Sequence, residues 1–493
     1  MYLGLDIGTT ATKAVLTDEQ HTIVASATAT YALHQPGSGI SEIDPALWID
    51  AIRSVVHRLH TTAPSRLAVV RAIGLSGQMH SLVTLDADGK AIRPAILWND
   101  ERGDREARTL SQTMPGIGEL TGVLPMASFT AAKLLWLKNT CPDDFARTAH
   151  VVWVKDYIRF WLTGEFATDM SDAAGAQLLD EKNRCWAQPV VDTIGLDERT
   201  LPRLVEGTQP TGKLLDRVAA ELGLPPGTPI AAGGGDAATG ALGLGCVDAG
   251  NSFISLGTGA VFVEIQDTYV PRPETLLHTF AHCIPKRWYQ MAAMLNGASC
   301  LAWVARLCRE PDLDTLLKRV ESRGDQPGRL LFAPYLRGER TPHNDVHARG
   351  AFVGLDAACD DTDLTKAVLE GVAFSLRQGQ DLLVGDAKPS NPIGMIGGGA
   401  RSVYWSKLIA TVLDRPLTIF RSADMAAAVG AAMLARISIG GADPYAAHSW
   451  PVARVVEPDP QHVAAYAERY AAFLPLYAAL APFAYPRRLS EHS

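Results

Sequence analysis

Two aspartates stand beside glycine turns at the ends of apolar, strand-like runs. Asp6 lies at the end of "YLGLDI" and is followed by Gly8-Thr9-Thr10, while Asp236 directly follows "PIAAGGG". Glycines and threonines in a turn can present backbone N–H groups and hydroxyls to an oxyanion. A carboxylate beside such a turn can hold a divalent cation or accept a proton from an alcohol. The pattern therefore points to phosphate chemistry.

The same kind of turn occurs again in the second half of the chain. One glycine turn is more often structural than ligand-binding, but four at predicted strand ends favour phosphate binding. Besides the two turns next to the aspartates, the candidates are Gly257-Thr258-Gly259 after "NSFISL" and Gly398-Gly399-Ala400 after "PIGMIG".

The two aspartates suit different roles in phosphoryl transfer. Asp6 suits a magnesium ion that neutralises phosphate oxygens, and Asp236 suits the base that accepts a hydroxyl proton. The alternative for Asp236 is that it only caps a helix. The sequence lacks G-x-x-x-x-G-K-[ST], which excludes a P-loop. Residues 233–238 fit a loose G-x-G-x-x-A, so a nicotinamide-dependent oxidoreductase stays open, although Asp236 would face the pyrophosphate there.

The elements that must position these residues follow from hydropathy patterns. "YLGLDIG", "ATKAVLTD", "TIVASATATY" and "RAIGLSG" predict strands, and "SLVTLDADGKAI" predicts a hairpin. "DPALWIDAIRSVVHRLH" has apolar residues at helical spacing, and "HVAAYAERYAAFLPLYAAL" predicts a helix that bends at Pro475. The strand–glycine turn–strand pattern near residue 8 recurs near residue 255. We therefore predict two related halves that meet near residues 245–250.

Composition limits the classes of partner. The 493 residues are enough for two large domains or three smaller ones. The net charge is −8 and Lys and Arg are not clustered, which argues against nucleic acid or a membrane as partner. Seven cysteines occur singly without a C-x-x-C pair, which is typical of reduced thiols in a cytoplasmic protein. No apolar run approaches the roughly 20 residues that span a bilayer.

An ordered set of motifs resembles the FGGY carbohydrate kinases from residue 2 to about residue 440. The motifs are "DIGTTATKAVL", "AILWNDERG", "GGGDAATG", "SLGTG", "GERTPHN" and "GGGARSVYW". The resemblance implies an α/β, actin-like ATPase (ribonuclease H-like) fold with two related domains around a deep cleft. We place these domains at residues 1–246 and 247–493, with a terminal helix from about residue 461. It also implies an enzyme that uses ATP and Mg²⁺ to phosphorylate a small sugar; family members are often homodimers.

The resemblance assigns the glycine turns to the nucleotide. Gly8-Thr9-Thr10 and Gly257-Thr258-Gly259 resemble two phosphate loops, one from each domain, and Gly398-Gly399-Ala400 resembles the loop on the adenosine side. Lys13 either adds positive charge beside the first loop or is an exposed strand lysine. Asp6 is expected to hold magnesium through water.

Three further motifs, "SGQMH", "SDAAG" and "PYLRGERTPHN", are most similar to the xylulokinases of this family. They imply that ATP phosphorylates D-xylulose to D-xylulose 5-phosphate with Asp236 as the base. Met79 and His80 match positions that contact the ketose; the further candidates are Gln78, Trp98 and Asn99, with Trp98 either an apolar wall for the sugar or a core residue. Ala237 replaces the amide usual after the catalytic aspartate, so another ketopentose or a polyol stays open as substrate. A non-enzymatic actin-like ATPase is a further alternative.

Overall fold

The computed structural model describes residues 1–37, 39–385, 387, 389, 391–421, 423–445 and 450–483. The strands of the first half are β1 (Tyr2–Ile7), β2 (Ala11–Thr17), β3 (Ile23–Thr30), β4 (Glu42–Ile43), β5 (Ala72–Gly77), β6 (Val83–Leu85), β7 (Ala95–Ile96), β8 (His150–Val152), β9 (Ala167–Asp169), β10 (Leu179–Asp180), β11 (Cys185–Trp186), β12 (Arg203–Val205), β13 (Pro210–Lys213), β14 (Pro229–Ala231) and β15 (Gly234–Gly235). Its helices are α1 (Ala46–Thr62), α2 (Pro64–Leu67), α3 (Asp104–Thr113), α4 (Ile117–Thr121), α5 (Thr130–Thr140), α6 (Pro142–Arg147), α7 (Val154–Thr163), α8 (Met170–Gly175), α9 (Gln188–Ile194), α10 (Asp216–Leu222) and α11 (Asp236–Gly243).

The second half continues with a comparable mixture of elements. Its strands are β16 (Ser252–Leu256), β17 (Ala260–Gln266), β18 (His278–Ala281), β19 (Trp288–Met294), β20 (Leu331–Ala333), β21 (Ala351–Val353), β22 (Ile393–Ile396), β23 (Leu417–Phe420) and β24 (Val452–Val456). Its helices are α12 (Ser299–Leu307), α13 (Leu313–Ser322), α14 (Asp361–Val384), α15 (Val403–Leu413), α16 (Ala426–Ser438), α17 (Val463–Phe473) and α18 (Leu476–Leu480). Pro475 lies at the bend between α17 and α18, as predicted.

Two seven-stranded sheets dominate the described part of the chain, and they repeat one strand order. The first runs β13-β14-β5-β1-β2-β3, with β15 also on β5, and the second runs β18-β19-β17-β16-β22-β23-β24. In each, an antiparallel hairpin (β1–β2 or β16–β17) has a parallel strand on its other side (β5 or β22). A second parallel strand and an antiparallel edge strand follow (β14 and β13, or β23 and β24). The predicted repeat is thus a repeat of sheet topology.

Helix α16 joins the two halves, because it belongs to the second half by sequence but packs on the first sheet. A methyl group added to Gly74 of β5 would lie 1.8 Å from the carbonyl oxygen of Ala431. A methyl group added to Gly430 would lie 1.9 Å from the carbonyl oxygen of Thr239 in α11. Glycine at these positions lets the backbone of α16 lie directly on β5 and α11. The two helices therefore lie side by side between the sheets.

The short-range predictions are mostly confirmed. The predicted helix over residues 44–60 is α1, whose buried face packs on β2 and β3. The predicted hairpin over residues 81–92 differs: β6 pairs with β8, more than 60 residues later, and only an isolated bridge joins Leu85 to Ala91. Within the ranges that the structure describes, no helix has the length and apolarity needed to cross a membrane.

Candidate active site

A cavity of about 930 Å³ lies between the two halves. From the first half, Asp6, Met79, His80 and Asp236 line it. From the second half, one face of the second sheet lines it, since successive side chains of a strand point to opposite faces. The residues of that face are Phe253, Ser255, Val261, Val263, His278, Met291, Ala293, Ile396 and Phe420. The candidate site is therefore shared by both halves of the chain.

Asp6 is held at the end of β1 by a chain of hydroxyl groups. The Ser76 hydroxyl donates to Asp6 Oδ1 at 3.0 Å and lies 2.7 Å from the Thr239 hydroxyl of α11. Burial raises the pKa of Asp6, while the charge of Lys13 and the Ser76 hydrogen bond act in the opposite direction. This chain connects the first sheet directly to the helix that carries Asp236.

Asp236 is the first residue of α11 and faces the cavity. The helix N-cap is Gly235 and no side chain caps it; Asp236 Oδ1 instead accepts from the adjacent Ala237 N–H at 2.9 Å. The side chain is open to the cleft, but the protein groups around it reduce its hydration and raise the pKa of Asp236 to about 7, and the negative charge of Asp6 adds to the increase. A carboxyl group with such a pKa can exchange a proton near neutral pH. The geometry does not favour the alternative of a simple helix cap.

The two glycine–threonine turns occupy equivalent places in the two sheets. Gly8-Thr9-Thr10 forms the tip of hairpin β1–β2, and Gly257-Thr258-Gly259 forms the tip of β16–β17. Each tip is closed by one backbone bond, from Gly8 N to Ala11 O and from Gly257 N to Gly259 O, both 3.0 Å. Two equivalent turns thus come from opposite halves of the molecule, although their residues are not among those that line the cavity itself.

Two side chains lie near the first turn. Lys13 lines the cavity and its Nζ donates to the carbonyl oxygen of Asp424 at 2.6 Å, so it bridges the two halves. Trp98 also lines the cavity, is 36% exposed, and donates from Nε1 to the Thr9 hydroxyl at 2.9 Å. Trp98 is therefore not a core residue, and it contacts the first glycine turn.

The turn Gly398-Gly399-Ala400 lies at another end of the cavity. Gly398 and Ala400 line it within a short 3₁₀ helix after β22, while Gly399 lies beneath, against Leu256. Arg454 of β24 donates to the carbonyl oxygen of Ala400 at 2.6 Å and lines the same end. Sequence reasoning missed Arg454, because its strand follows the turn by some 50 residues and carries no motif.

His80 has one ring nitrogen committed to the protein and is kept neutral. Its Nδ1 lies 2.5 Å from the carbonyl oxygen of Gly175, which can only accept, so Nδ1 carries the proton. Burial lowers the pKa of His80 to about 3. Lys133 Nζ donates to the His80 carbonyl oxygen at 2.9 Å and holds a backbone with φ of 69°. The Nε2 lone pair of His80 is therefore an acceptor for a ligand hydroxyl.

Met79 precedes His80 in the chain and packs against Gly235, the residue before Asp236. A methyl group added to Gly235 would lie 2.5 Å from Met79 Cγ, so only glycine leaves room for this side chain. Gln78 lines the cavity and donates from Nε2 to the Gly8 carbonyl oxygen at 3.3 Å. Asn99 is not among the residues that line it; its Oδ1 is buried and has no hydrogen-bond partner in the described part of the chain.

A buried ionic network supports the strand that precedes Asp236. The Ser171 hydroxyl accepts from the Gly235 N–H at 2.9 Å and donates to Asp169 Oδ2. Lys155 Nζ lies 2.9 Å from Asp169, 2.7 Å from Asp156 and 3.1 Å from Asp172. Burial opposes the charge of Lys155, but the three carboxylates outweigh it and raise its pKa.

We expect Ser171→Ala to slow turnover by about tenfold, because an unsatisfied buried N–H costs roughly 1–3 kcal/mol and the strand before Asp236 loses its anchor. Turnover is measured as sugar-dependent ADP release at saturating substrates. Thr163→Val is the matched control: the Thr163 hydroxyl also accepts from a backbone N–H, that of Glu165 at 3.0 Å, but outside the cavity. Equal turnover losses in both variants would contradict a positioning role for Ser171.

Comparison with known proteins identifies the family. The N-terminal domain of the FGGY family of carbohydrate kinases matches residues 1–243, and the C-terminal domain matches residues 252–439. A xylulose kinase from Escherichia coli (strain K12) is 39% identical over 487 residues, which cover 98% of this chain and 99% of that kinase.

Solved structures agree in fold. The structure described as a xyloylose kinase from Brucella ovis has a TM-score of 0.94 and 41% identity, covering 98% of this chain and 99% of that one. A gluconate kinase from Lactobacillus acidophilus has a TM-score of 0.91 and 27% identity, covering 98% of each chain. These sugar kinases have the actin-like two-domain fold, which confirms the predicted fold class. With both family domains matched over most of its length, the chain belongs to the FGGY family of carbohydrate kinases.

Proposed function

We propose that this sugar kinase transfers the γ-phosphate of ATP to the 5-hydroxyl of D-xylulose and releases D-xylulose 5-phosphate and ADP. The observation that carries the proposal is the position of Asp236, a carboxylate with a pKa near 7, in one cavity with Met79 and His80. The relative named xylulose kinase, 39% identical over nearly the full length, supports the choice of sugar. Membership of a kinase family leaves the oxidoreductase alternative without support.

In this reaction Asp236 acts as the general base. Its carboxylate accepts the proton of the 5-hydroxyl while O5 attacks the γ-phosphorus, and the bond from that phosphorus to the β–γ bridging oxygen breaks. We assign the phosphates to Gly8-Thr9-Thr10 and Gly257-Thr258-Gly259, with Lys13 adding positive charge, and the adenosine to Gly398-Gly399-Ala400. Closure of the two halves would exclude water, the competing acceptor.

Asp6 fits a magnesium ion that is shared with the nucleotide. Within the described ranges no three His, Cys, Asp or Glu side chains are grouped to hold a metal, so a fully protein-bound site does not fit. Mg²⁺ is commonly bound by one or two carboxylates together with substrate phosphates and waters. We propose that Asp6 holds it through water, where it would neutralise charge on the phosphate oxygens.

We propose that the sugar lies against Met79 and His80, with Gln78 and Trp98 towards the first phosphate loop. The position of Asn99 outside the cavity lining weakens its assignment. We place the domain boundary after residue 246, between α11 and β16. The use of ATP and the seven free cysteines favour the cytoplasm, and association into a homodimer stays a prediction.

The substrate is tested by measuring ADP release across a panel of sugars. We expect the highest kcat/KM with D-xylulose, compared with L-xylulose, D-ribulose, xylitol and D-gluconate, and little ADP release without sugar. A higher value for another member of the panel would replace D-xylulose as the substrate while leaving the kinase intact. ADP release that does not depend on any sugar would favour the non-enzymatic ATPase instead.

The pH dependence of kcat/KM should have an acidic limb near pH 7. Asp236 can accept a proton only when it is ionised, and its pKa is about 7, so activity is expected to fall about tenfold per unit below that pH. Because ATP also ionises in this pH range, the protonation of Asp236 is measured separately, by infrared difference spectra of the protein without ATP between pH 5.5 and 8.5. Burial also raises the pKa of Glu339 and Glu370 to about 7, so the carboxylic-acid signal that titrates near pH 7 should be smaller by one group in Asp236→Asn than in the wild type. Equal kcat/KM at pH 5.5 and pH 7.5 would contradict this pKa.

A further inference from the structure

Two polar side chains of the second half face the cavity close to His80. They are His278 of β18 and Arg340, which lies in the segment "GERTPHN". We propose that His278 and Arg340 form a second wall of the sugar pocket, which binds the C1–C2 end of an open-chain 2-ketose and selects it over the corresponding alditol. The proposal rests on the proposed phosphorylation of a ketose and deepens it.

His278 is buried but has no partner for its polar atoms. The residue is 1% exposed, and neither ring nitrogen has a hydrogen-bond partner within the described residues. Its ring lies 5.7 Å from that of Phe129 and 5.4 Å from that of Phe280, so aromatic walls fix its orientation. Burial lowers the pKa of His278, which keeps the ring neutral, with one donor and one acceptor. A buried imidazole of this kind is satisfied when a hydroxyl group enters the cavity.

Arg340 brings a cation with unused donors to the same place. Across the described ranges, no side-chain hydrogen bond or ion pair joins its guanidinium to a protein atom, although the group lines the cavity. Its charge lowers the pKa of both His80 and His278, and the N–H of the next residue, Thr341, bonds to β19, the strand that pairs with β18. A guanidinium group only donates, so its partner must be an acceptor oxygen.

The backbone around Arg340 is fixed, so the point from which its side chain enters the cavity is held in position. The Glu339 carboxylate accepts from the Arg340 N–H at 2.8 Å and from the Leu295 N–H at 2.7 Å. On the other side, the Thr341 N–H donates to the Ala293 carbonyl oxygen at the end of β19, at 3.0 Å. Arg340 is thus anchored to the same sheet that carries His278.

The chemistry of the ketose selects the atoms that this wall binds. A 2-ketopentose closes its ring by joining O5 to C2, so the molecule must be open-chain, with a free C2 carbonyl, when O5 attacks phosphate. That carbonyl oxygen only accepts, which matches the donors of Arg340, and the C1 hydroxyl can both donate and accept, which matches His278.

The order of residues along the cavity gives the direction of the sugar. Met79 packs against Gly235, the residue before Asp236, and His80 follows Met79. The rings of His80 and His278 share the neighbours Phe129 and Phe280, and Arg340 lines the same cavity. With O5 at Asp236, the proposal puts the opposite end of the five-carbon chain at this second wall, in the same cavity. Ala237 offers only a methyl group to the cavity, so polar recognition of the sugar depends more on the other half.

The test is the kinetics of Arg340→Met with D-xylulose and with xylitol, in which C2 carries a hydroxyl group. We expect the KM for D-xylulose to rise by about tenfold or more, since truncation removes hydrogen bonds to the sugar. The KM for ATP should change less than about twofold, and the preference for D-xylulose over xylitol should shrink. Arg337→Met is the matched control, because Arg337 is an exposed arginine three residues earlier in the same segment.

Two further variants keep the test decisive. Arg340→Lys retains the charge but not the paired donors, and His278→Asn retains polarity but not the ring; each should raise the KM for the sugar selectively if Arg340→Met fails to fold. An unchanged KM for the sugar, or an equal rise in the KM for ATP, would overturn the proposal. Wild-type activity on another ketose would overturn only the choice of D-xylulose, and the same variants are then measured with that sugar.

Discussion

Replacing Asp236 with asparagine should lower kcat for sugar phosphorylation by on the order of 10²–10⁴-fold, the usual contribution of a general base. The amide cannot accept the hydroxyl proton, yet it has nearly the same size and keeps an oxygen that can accept from the Ala237 N–H. The KM for the sugar should change little, since Met79 and His80 are untouched. The measurement is initial-rate ADP release with D-xylulose at saturating ATP.

The asparagine variant also separates catalysis from a structural role. Asparagine favours the start of a helix about as well as aspartate, so α11 should be retained and the thermal midpoint nearly unchanged. Asp216→Asn is the matched control, because Asp216 begins α10 as Asp236 begins α11 but is exposed outside the cavity. Near-normal turnover in a folded Asp236→Asn protein would show that another group accepts the proton.

Local patterns are sufficient to predict much of this fold. The strands β1, β2 and β5 are apolar runs that end at glycine, and the recurrence of a glycine–threonine turn indicates a second hairpin, β16–β17. Because each signal lies within about 15 residues, it does not depend on the rest of the chain. The placement of Asp6 and Asp236 in one cavity follows less directly, since it depends on close packing of α16 on the first sheet at glycines 4 and 74 and on α11 at glycine 430.

Partners that are distant in sequence could not be predicted. Strand β6 pairs with β8 because the sheet register is set by the packing of both segments, not by the turn between residues 86 and 90. His278 looks like an ordinary polar residue in the sequence, and the motif "GERTPHN" assigns no role to Arg340, so only their shared place in the cavity near His80 suggests one. Lys155 lies on a helix whose charged residues resemble a solvated face, yet its side chain is fully buried.

That burial leads to the largest expected effect on stability. Replacing Lys155 with methionine should lower the free energy of unfolding at pH 8 by about 3–5 kcal/mol, because it leaves buried carboxylates without their cation. Arg159, 3.0 Å from Asp156, still compensates that carboxylate, so the unpaired charges are those of Asp169 and Asp172. The measurement is equilibrium unfolding in urea, with Lys90→Met as the exposed control.

The loss caused by Lys155→Met should be smaller in acid. Burial already raises the pKa of Asp172 above its unfolded value in the wild type, and without the charge of Lys155 it rises further. The folded state then binds more protons than the unfolded state, so stability falls as pH rises above the ordinary carboxyl range. The deficit relative to wild type should therefore be smaller at pH 5.5 than at pH 8. An equal deficit at both pH values would mean that lost packing, and not unpaired charge, destabilises the variant.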